Sequence, residues 1–398
     1  MEQKHRLGKE VAGVLQVTQE LAQDIVTRMM KVIGYNVNVM DERGYIIASG
    51  DKNRLHQKHE GAVIAIERRG RFEVYPEDVR RLAGVQAGTN LVIQFQSEIV
   101  GVIGITGDPR EVTKYGELVK MTAEMFLEQS YLLEQAKLDK RLREDFLLSI
   151  IHADHQDSSL WKEQARRLQI DLSTKRVAVI IELVDIGISD DSAYTTLRQM
   201  VGLLELRDTI EMMAIKNSKQ IVLVKESRHY RDKEAICEGV EQILQLLKNQ
   251  LIAPIKISVG KAFSGAEGLR YCYESARDTL LAGKAMAPEL TVYYYDDFLN
   301  ETLMVSVQES WKSEELIKVY KNLITQDKSG ELQQTLHVYM EEEGELHRIA
   351  KRLVIHRNTL RYRLQRIYDI TGKDPKRISD FLSLQFAMWL YKLKNKQT

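Results

Sequence analysis

Residues 345–367 constrain this chain more than any other stretch. Glu345-Leu-His-Arg-Ile-Ala-Lys-Arg-Leu-Val-Ile-His-Arg-Asn-Thr-Leu-Arg-Tyr-Arg-Leu-Gln-Arg-Ile367 sets Leu346, Ile349, Ala350 and Leu353 at helical spacing, then Leu360, Leu364 and Ile367 likewise. Val354-Ile355-His356 between them is too short for a flexible linker, so two short helices must meet at an angle around a shared apolar core. On the second helix Arg357, Asn358, Arg361 and Gln365 point away from that core. Such side chains bond guanine and adenine edges in the major groove and the phosphates beside it. His356, Thr359, Tyr362 and Arg363 on this segment, and Lys351 on the first helix, complete the candidate DNA-binding set. The expectation is a helix-turn-helix. The competing reading, a solvated charged face on a small bundle, does not require this spacing and this polarity together.

Charge distribution points the same way. The chain holds 57 basic and 57 acidic residues, which alone says nothing about partners. Between Gly344 and Lys396, however, there are 13 Lys+Arg against 4 Asp+Glu, leaving 44 basic and 53 acidic residues elsewhere. A basic tail on an acidic body is the footprint of one nucleic-acid-binding module. Phe381, Leu384, Trp389 and Leu393 give that tail enough apolar surface for a closing helix rather than a disordered arm.

At 398 residues there is room for two to four domains. No apolar run approaches the roughly 18 residues of a membrane span, and the N-terminus has no apolar signal core, so a cytoplasmic protein without a membrane partner is expected. Cys237 and Cys272 form no disulfide framework or zinc site and are expected as buried free thiols. Only five prolines are present, which argues for domains joined by helices.

Along the chain, Val11–Ile33 carries a helical apolar stripe. Residues 36–40 and 45–48 alternate as strands about a turn at 41–44, and Leu91–Gln96 with Ile99–Thr106 predicts a second hairpin turning at 96–98. The polar segment 50–61 leads into a short helix at 62–66. This pattern is close to a PAS or Cache sensor fold. From Thr113 to about His152 nothing breaks a helix, and Leu118, Met121, Met125, Leu132, Leu133, Leu142 and Phe146 suggest that it pairs with itself in a homodimer, though no strict heptad survives. Strands at 177–184, 220–224 and 255–260, alternating with helices at about 195–214, 233–250 and 268–283, describe an α/β domain, and helices fill the remainder. The expected architecture is therefore multidomain α+β: a sensor domain (1–135), a helical linker (136–170), an α/β domain (171–300) and an all-α DNA-binding domain (301–398).

The chain as a whole resembles the carbohydrate diacid regulator family of bacterial transcription factors. His356-Arg-Asn-Thr-Leu-Arg-Tyr-Arg-Leu364 with Thr371-Gly-Lys-Asp374 resembles the PucR-type helix-turn-helix. Gly34-Tyr-Asn-Val-Asn-Val-Met-Asp41, His59-Glu-Gly-Ala62, Gly101-Val-Ile-Gly-Ile-Thr-Gly-Asp-Pro109 and Val119-Lys-Met-Thr-Ala-Glu124 resemble its sugar-diacid recognition domain. The middle is similar to a degenerate GGDEF-type domain, through Ile257-Ser-Val-Gly260 and Ala276-Arg-Asp-Thr-Leu-Leu-Ala-Gly-Lys284. Where that family has its signature hairpin, this chain has Asn217-Ser-Lys-Gln-Ile221, without the carboxylates and glycines that metal-assisted nucleotide joining needs. The resemblance implies operator DNA as partner, and as effector a small carboxylate such as glucarate, galactarate, glycerate or glycolate. It favours activation.

A carboxylate- and hydroxyl-bearing effector needs cations, neutral donors and free backbone N–H groups. Arg54, His56 and His59 are candidates for the first, with Glu60 and Gly61 adjoining; Asn90, Thr106 and the glycine-bordered turn ending at Gly88 are candidates for the rest. Two readings compete: Arg54 and His59 capping the helix at Gly61, and His56, His59 and Glu60 holding a metal, which lacks a further ligand cluster. His152 and His155 beside Asp154 fit an exposed helix end. No nucleophile, base and orienting acid stand out, so no cofactor, metal or catalytic set is assigned. The alternative function class is a nucleotide-handling signalling enzyme using the middle domain.

Overall fold

A computed structural model describes residues 17–79, 86–152, 158–184, 190–205, 210–227, 233–250 and 253–395. The start of the expected first helix (11–16), the start of the turn that ends at Gly88, Asp154 and His155 lie outside these residues. The chain divides into two compact units, Met1–Asp139 and Lys140–Thr398, each described by itself.

In the first unit, α1 (Gln19–Ile33) is capped by Thr18 and stopped by Gly34 at φ 74°, a left-handed end that glycine adopts without a Cβ penalty. There follow β1 (Val37–Met40), β2 (Ile46–Ser49), a 3₁₀ turn at Lys52–Arg54, α2 (Glu60–Glu67), β3 (Arg71–Val74), β4 (Gly88–Phe95), β5 (Glu98–Thr106) and α3 (Pro109–Ile151). The strands form an antiparallel sheet in the order β2-β1-β5-β4-β3. The β4–β5 hairpin turns on Gln96 and Ser97, both at positive φ (49° and 71°), as a two-residue turn must to match the twist of its strands. Strand alternation gives the sheet two faces. Val37, Val39, Ile93, Ile103 and Ile105 pack against α1 and the first half of α3, whereas Met40, Val92 and Val102 are covered by Ala62 and Ala65 of α2. Strand β3 was absent from the sequence expectation, because Arg71-Phe-Glu-Val74 is a short, half-exposed edge strand.

The second unit contains α4 (Ser158–Arg167), β6 (Arg176–Leu183), α5 (Asp190–Leu204), β7 (Met212–Asn217), β8 (Gln220–Glu226), α6 (Lys233–Gln250), β9 (Ile255–Val259), α7 (Ala266–Met286) and β10 (Val292–Tyr294). Its sheet runs β10-β9-β6-β8-β7 with only β9–β10 parallel. The expected helix at 195–214 is corrected here: α5 stops at Leu204 and Met212–Ala214 belongs to β7. Apolar residues at both spacings made the run ambiguous, since short apolar segments do not discriminate helix from strand. One sheet face packs on α5 and α6. The other packs on α7, Trp161 of α4 and Phe146, Leu147 and Ile150 of α3, so Phe146, expected in the pairing stripe of that helix, is a core residue instead. Tyr293 lies fully buried in β10, its ring against Gly283 and edge-on to Phe298. Cys272 is buried and Cys237 half-buried, both free.

Six further helices close the unit: α8 (Leu299–Val307), α9 (Trp311–Gln326), α10 (Glu331–Glu341), α11 (Leu346–Arg352), α12 (Arg357–Thr371) and α13 (Ile378–Asn395). Tyr320, Leu323, Leu336, Tyr339, Ile349, Leu360, Leu364, Ile367, Leu384 and Met388 are their shared core. Leu393 of α13 and Val305 of α8 join the α7 side of the sheet, so the sheet domain and the helical domain share one compact unit. Among the described residues no helix is long and apolar enough to cross a membrane.

Candidate functional sites

Helices α11 and α12 are the two predicted from spacing, and the turn between them is tight. The Ile355 N–H donates to the Ala350 carbonyl (3.0 Å) and the Val354 N–H to that of Lys351 (3.2 Å). Val354 sits at φ 55° and is 89% exposed, a strained conformation for a β-branched residue. His356 is the N-cap of α12: its Nδ1 accepts from the Asn358 N–H at 3.3 Å, so its imidazole starts the helix. Leu360, Leu364 and Ile367 bury one side, while Lys351, Arg357, Asn358, Thr359, Arg361, Tyr362 and Gln365 are exposed. Gln365 is partly engaged, its amide donating to Asp369 (3.0 Å).

Arg363 departs from the expected exposed set. Its Nη2 meets Glu331 Oε1 at 2.8 Å and its Nη1 donates to Thr335 Oγ1 at 3.4 Å, with the side chain 12% exposed. It ties α12 to α10. Arg352 does the same for α11, bridging Glu341 (2.7 Å) and Glu342 (2.8 Å).

In the first unit, the sheet face under α2 is apolar apart from one polar row. Register sets Ser49, Asn38, Gly104 and Asn90 side by side across β2, β1, β5 and β4. Ser49, Asn38 and Asn90 are buried. Asn38 Oδ1 accepts from Ser49 Oγ (2.6 Å) and from Asn36 Nδ2 (3.3 Å), and Asn90 Nδ2 reaches the Phe72 carbonyl at 3.5 Å. Among the described residues, Asn38 Nδ2 and Asn90 Oδ1 have no partner. Gly61 and Gly104 make room for the Asn90 amide: a Cβ would come within 2.8 Å of its Nδ2 at the first and 3.1 Å of its Oδ1 at the second.

His59 is buried beside this row and caps α2, its Nδ1 accepting from the Ala62 N–H at 3.2 Å. Burial, and then the Arg54 charge, lower its pKa to about 4. The expected cation is therefore a neutral imidazole at pH 7, with Nε2–H as its remaining donor. The capping reading holds for His59 and not for Arg54. The Arg54 guanidinium is half-buried, and burial lowers its pKa. Among the described residues its side chain makes no hydrogen bond or ion pair.

The other expected residues lie less centrally. His56 is exposed, with left-handed backbone (φ 62°), and its N–H donates to the Ile46 carbonyl (2.8 Å). Glu60 is exposed on the first turn of α2. Gly88 pairs with Thr106, whose own N–H goes to the Asn36 carbonyl (3.0 Å). A Cβ at Gly88 would meet the Ile105 carbonyl oxygen at 2.3 Å, so this glycine is required by backbone approach. Asn38 and Ser49 escaped the sequence reading. The one available signal was parity: Asn38 shares the inward face with Met40 in an otherwise apolar strand. Among the described residues no three His, Cys, Asp or Glu side chains gather as metal ligands.

Residues 17–150 match the family described as sugar diacid recognition, residues 153–282 the GGDEF-like domain, and residues 332–390 the PucR C-terminal helix-turn-helix domain. The carbohydrate diacid regulator of Escherichia coli is 37% identical over 374 residues, 93% of this chain and 97% of that one. An uncharacterised protein of Haemophilus influenzae is 34% identical, covering 94% and 100%. The uncharacterised protein YsfB of Bacillus subtilis is 25% identical, covering 93% and 96%.

Proposed function

The chain belongs to the carbohydrate diacid regulator family, and we propose that it is a cytoplasmic transcriptional activator of diacid or small-hydroxyacid utilisation, switched by the acid itself. The observation that carries this reading is the half-buried Arg54, which feels the Asp51 charge but makes no hydrogen bond or ion pair among the described residues, beside the neutral donor His59 and the buried amides Asn90 and Asn38. A guanidinium matches a carboxylate through two parallel bonds, and buried amides with free polar atoms complement hydroxyls. The antiparallel sheet with a helix crossing its inner face supports a PAS- or Cache-like sensor. Operator DNA meets Lys351, Arg357, Asn358, Thr359, Arg361, Tyr362 and Gln365, with His356 organising the helix and Arg363 reassigned to packing. The GGDEF-like domain serves as scaffold, because its β7–β8 turn, Asn217-Ser-Lys-Gln220, presents no carboxylate.

Helix α3 supports a homodimer. Leu118, Met121, Met125 and Leu132 are each more than half exposed and fall on one side of the helix. A second copy covers that stripe, and a paired reader supplies the two half-sites such modules use. The ligand switch needs only a differential affinity for two conformers, of about 1–3 kcal/mol.

The test is a thermal-shift screen of the full chain against glucarate, galactarate, glycerate and glycolate. A true effector at a hundred times its Kd adds about 2.7 kcal/mol of stability. A flat response to all four acids overturns the effector assignment.

A further inference from the structure

The basic residues of the C-terminal module sort into two classes. Arg352 pairs with Glu341 and Glu342, Arg363 with Glu331, Arg366 with Asp369, Lys373 with Asp380, and Lys394 with Glu314. Apart from the Arg366–Asp369 pair, which lies within α12, these ion pairs tie one element to another. Arg357, Arg361 and Lys376 have no carboxylate partner among the described residues. The three lie together. A groove of about 270 Å³ between α11 and α12 is lined by Arg357, Arg361, Lys376 and His347 over an apolar floor that includes Leu346 and Ala350. None of its lining residues is acidic.

Lys376 is the informative member, because it lies outside the two helices α11 and α12. It sits in the turn before α13, where its backbone N–H donates to Asp374 Oδ1 at 3.0 Å. That bond fixes the turn that brings the lysine back to the first turns of α12. Three like charges around one groove repel one another unless an anion enters. The apolar floor offers no base-edge chemistry, since reading a base requires matched donors and acceptors.

The geometry points to a clamp for the DNA backbone: Lys376, with Arg357 and His347, grips a phosphodiester at the flank of α12, while the outer face of that helix reads bases. The inference rests on the DNA-binding surface proposed above and divides it into two parts. Lys376 and His347 supply sequence-independent affinity; Asn358, Arg361 and Gln365 supply preference. Charge complementarity selects the occupant, because a polyanion satisfies all the cations at once.

Binding of the full chain to a short random-sequence duplex, followed by anisotropy between about 50 and 200 mM salt, tests this without knowledge of the operator. Each lost phosphate contact lowers the slope of log K against log salt by about 0.9. Lys376→Ala is expected to lower it by that amount, Lys376→Arg to restore it, and Lys328→Ala, outside the groove, to leave it unchanged. A Lys376→Ala slope equal to the parent's overturns the clamp and leaves the DNA-binding surface standing. Equal losses for Lys376→Ala and Lys328→Ala reduce the effect to net charge and overturn it too. If the parent itself shows no salt-dependent affinity for duplex, the surface and the clamp fail together.

Discussion

Arg363 Nη2 meets Glu331 Oε1 at 2.8 Å, from the side of α12 that faces α10. Two positions earlier, Arg361 projects the other way and is exposed. The helix thus carries one arginine engaged within the fold and one facing solvent, and substitution separates them. Arg363→Ala should lower stability by about 1–2 kcal/mol in chemical denaturation while leaving DNA affinity at the parent value. Arg361→Ala should leave the melting curve in place, cost roughly 1–3 kcal/mol on operator DNA and relax base preference at one position. Lys351→Ala should weaken all sequences about equally. Equal losses on specific and random DNA for Arg361→Ala would remove it from the reading set.

Arg54→Lys keeps the charge and loses the planar fork. Titration calorimetry with the best acid from the screen should show affinity reduced about tenfold or more, with an unchanged melting temperature in the absence of ligand. A variant that binds as tightly as the parent places the pocket elsewhere.

His59 gives the first unit an acid-sensitive element. Its pKa falls from 6.5 unfolded to about 4 folded, so between those values the unfolded chain binds more protons. Stability therefore rises with pH across that window and is lost as pH falls through it, by about 2–4 kcal/mol in total. His59→Asn, which preserves an N-cap acceptor, should flatten this dependence in unfolding curves between pH 4 and 6.5. An equally steep curve in the variant would assign the acid response to other groups.

Val354 holds φ 55° with 89% of its surface in solvent, so a side chain that contributes no burial is kept in a left-handed conformation. Val354→Gly relieves that strain against a larger unfolded-state entropy, and a net gain of up to about 1 kcal/mol is expected. A lower melting temperature for Val354→Gly would show that the added unfolded-state entropy of glycine outweighs the strain relieved.

Arg176 is almost wholly buried at the start of β6. It forms two parallel bonds to Glu211 (Nε–Oε2 2.6 Å, Nη2–Oε1 2.8 Å), and its Nη1 donates to the carbonyls of Asp171 (2.7 Å) and Thr174 (3.0 Å). Glu211→Ala leaves a buried cation with backbone acceptors alone and should destabilise by about 3–5 kcal/mol. A loss below 1 kcal/mol would show that solvent reaches the guanidinium.

The sequence made the helix-turn-helix legible because Leu360, Leu364 and Ile367 repeat on a period that only a helix converts into one buried face. It could not assign Arg363, whose partner Glu331 sits on another helix and decides the direction of a flexible side chain. The long helix and the 96–98 turn were likewise local in origin. Strand β7 was not: Met212–Ala214 became a strand through pairing with Val222–Val224. Around His59 the glycines and Asn90 drew attention by composition, yet the row they belong to runs across four strands. His59 was misjudged in charge, because burial and a neighbouring guanidinium set its protonation and neither is visible in its flanking residues.

The segregation of paired from unpaired cations also bears on how the protein finds its target. Arg357, Arg361 and Lys376, which have no carboxylate partner among the described residues, would on the proposed reading break no ion pair on approaching DNA of any sequence; only condensed counterions would be displaced. Landing and leaving are then cheap everywhere on the duplex, and the molecule can travel along it by sliding and short hops. Longer flanking DNA should accordingly shorten the time to operator capture, most of all at low salt.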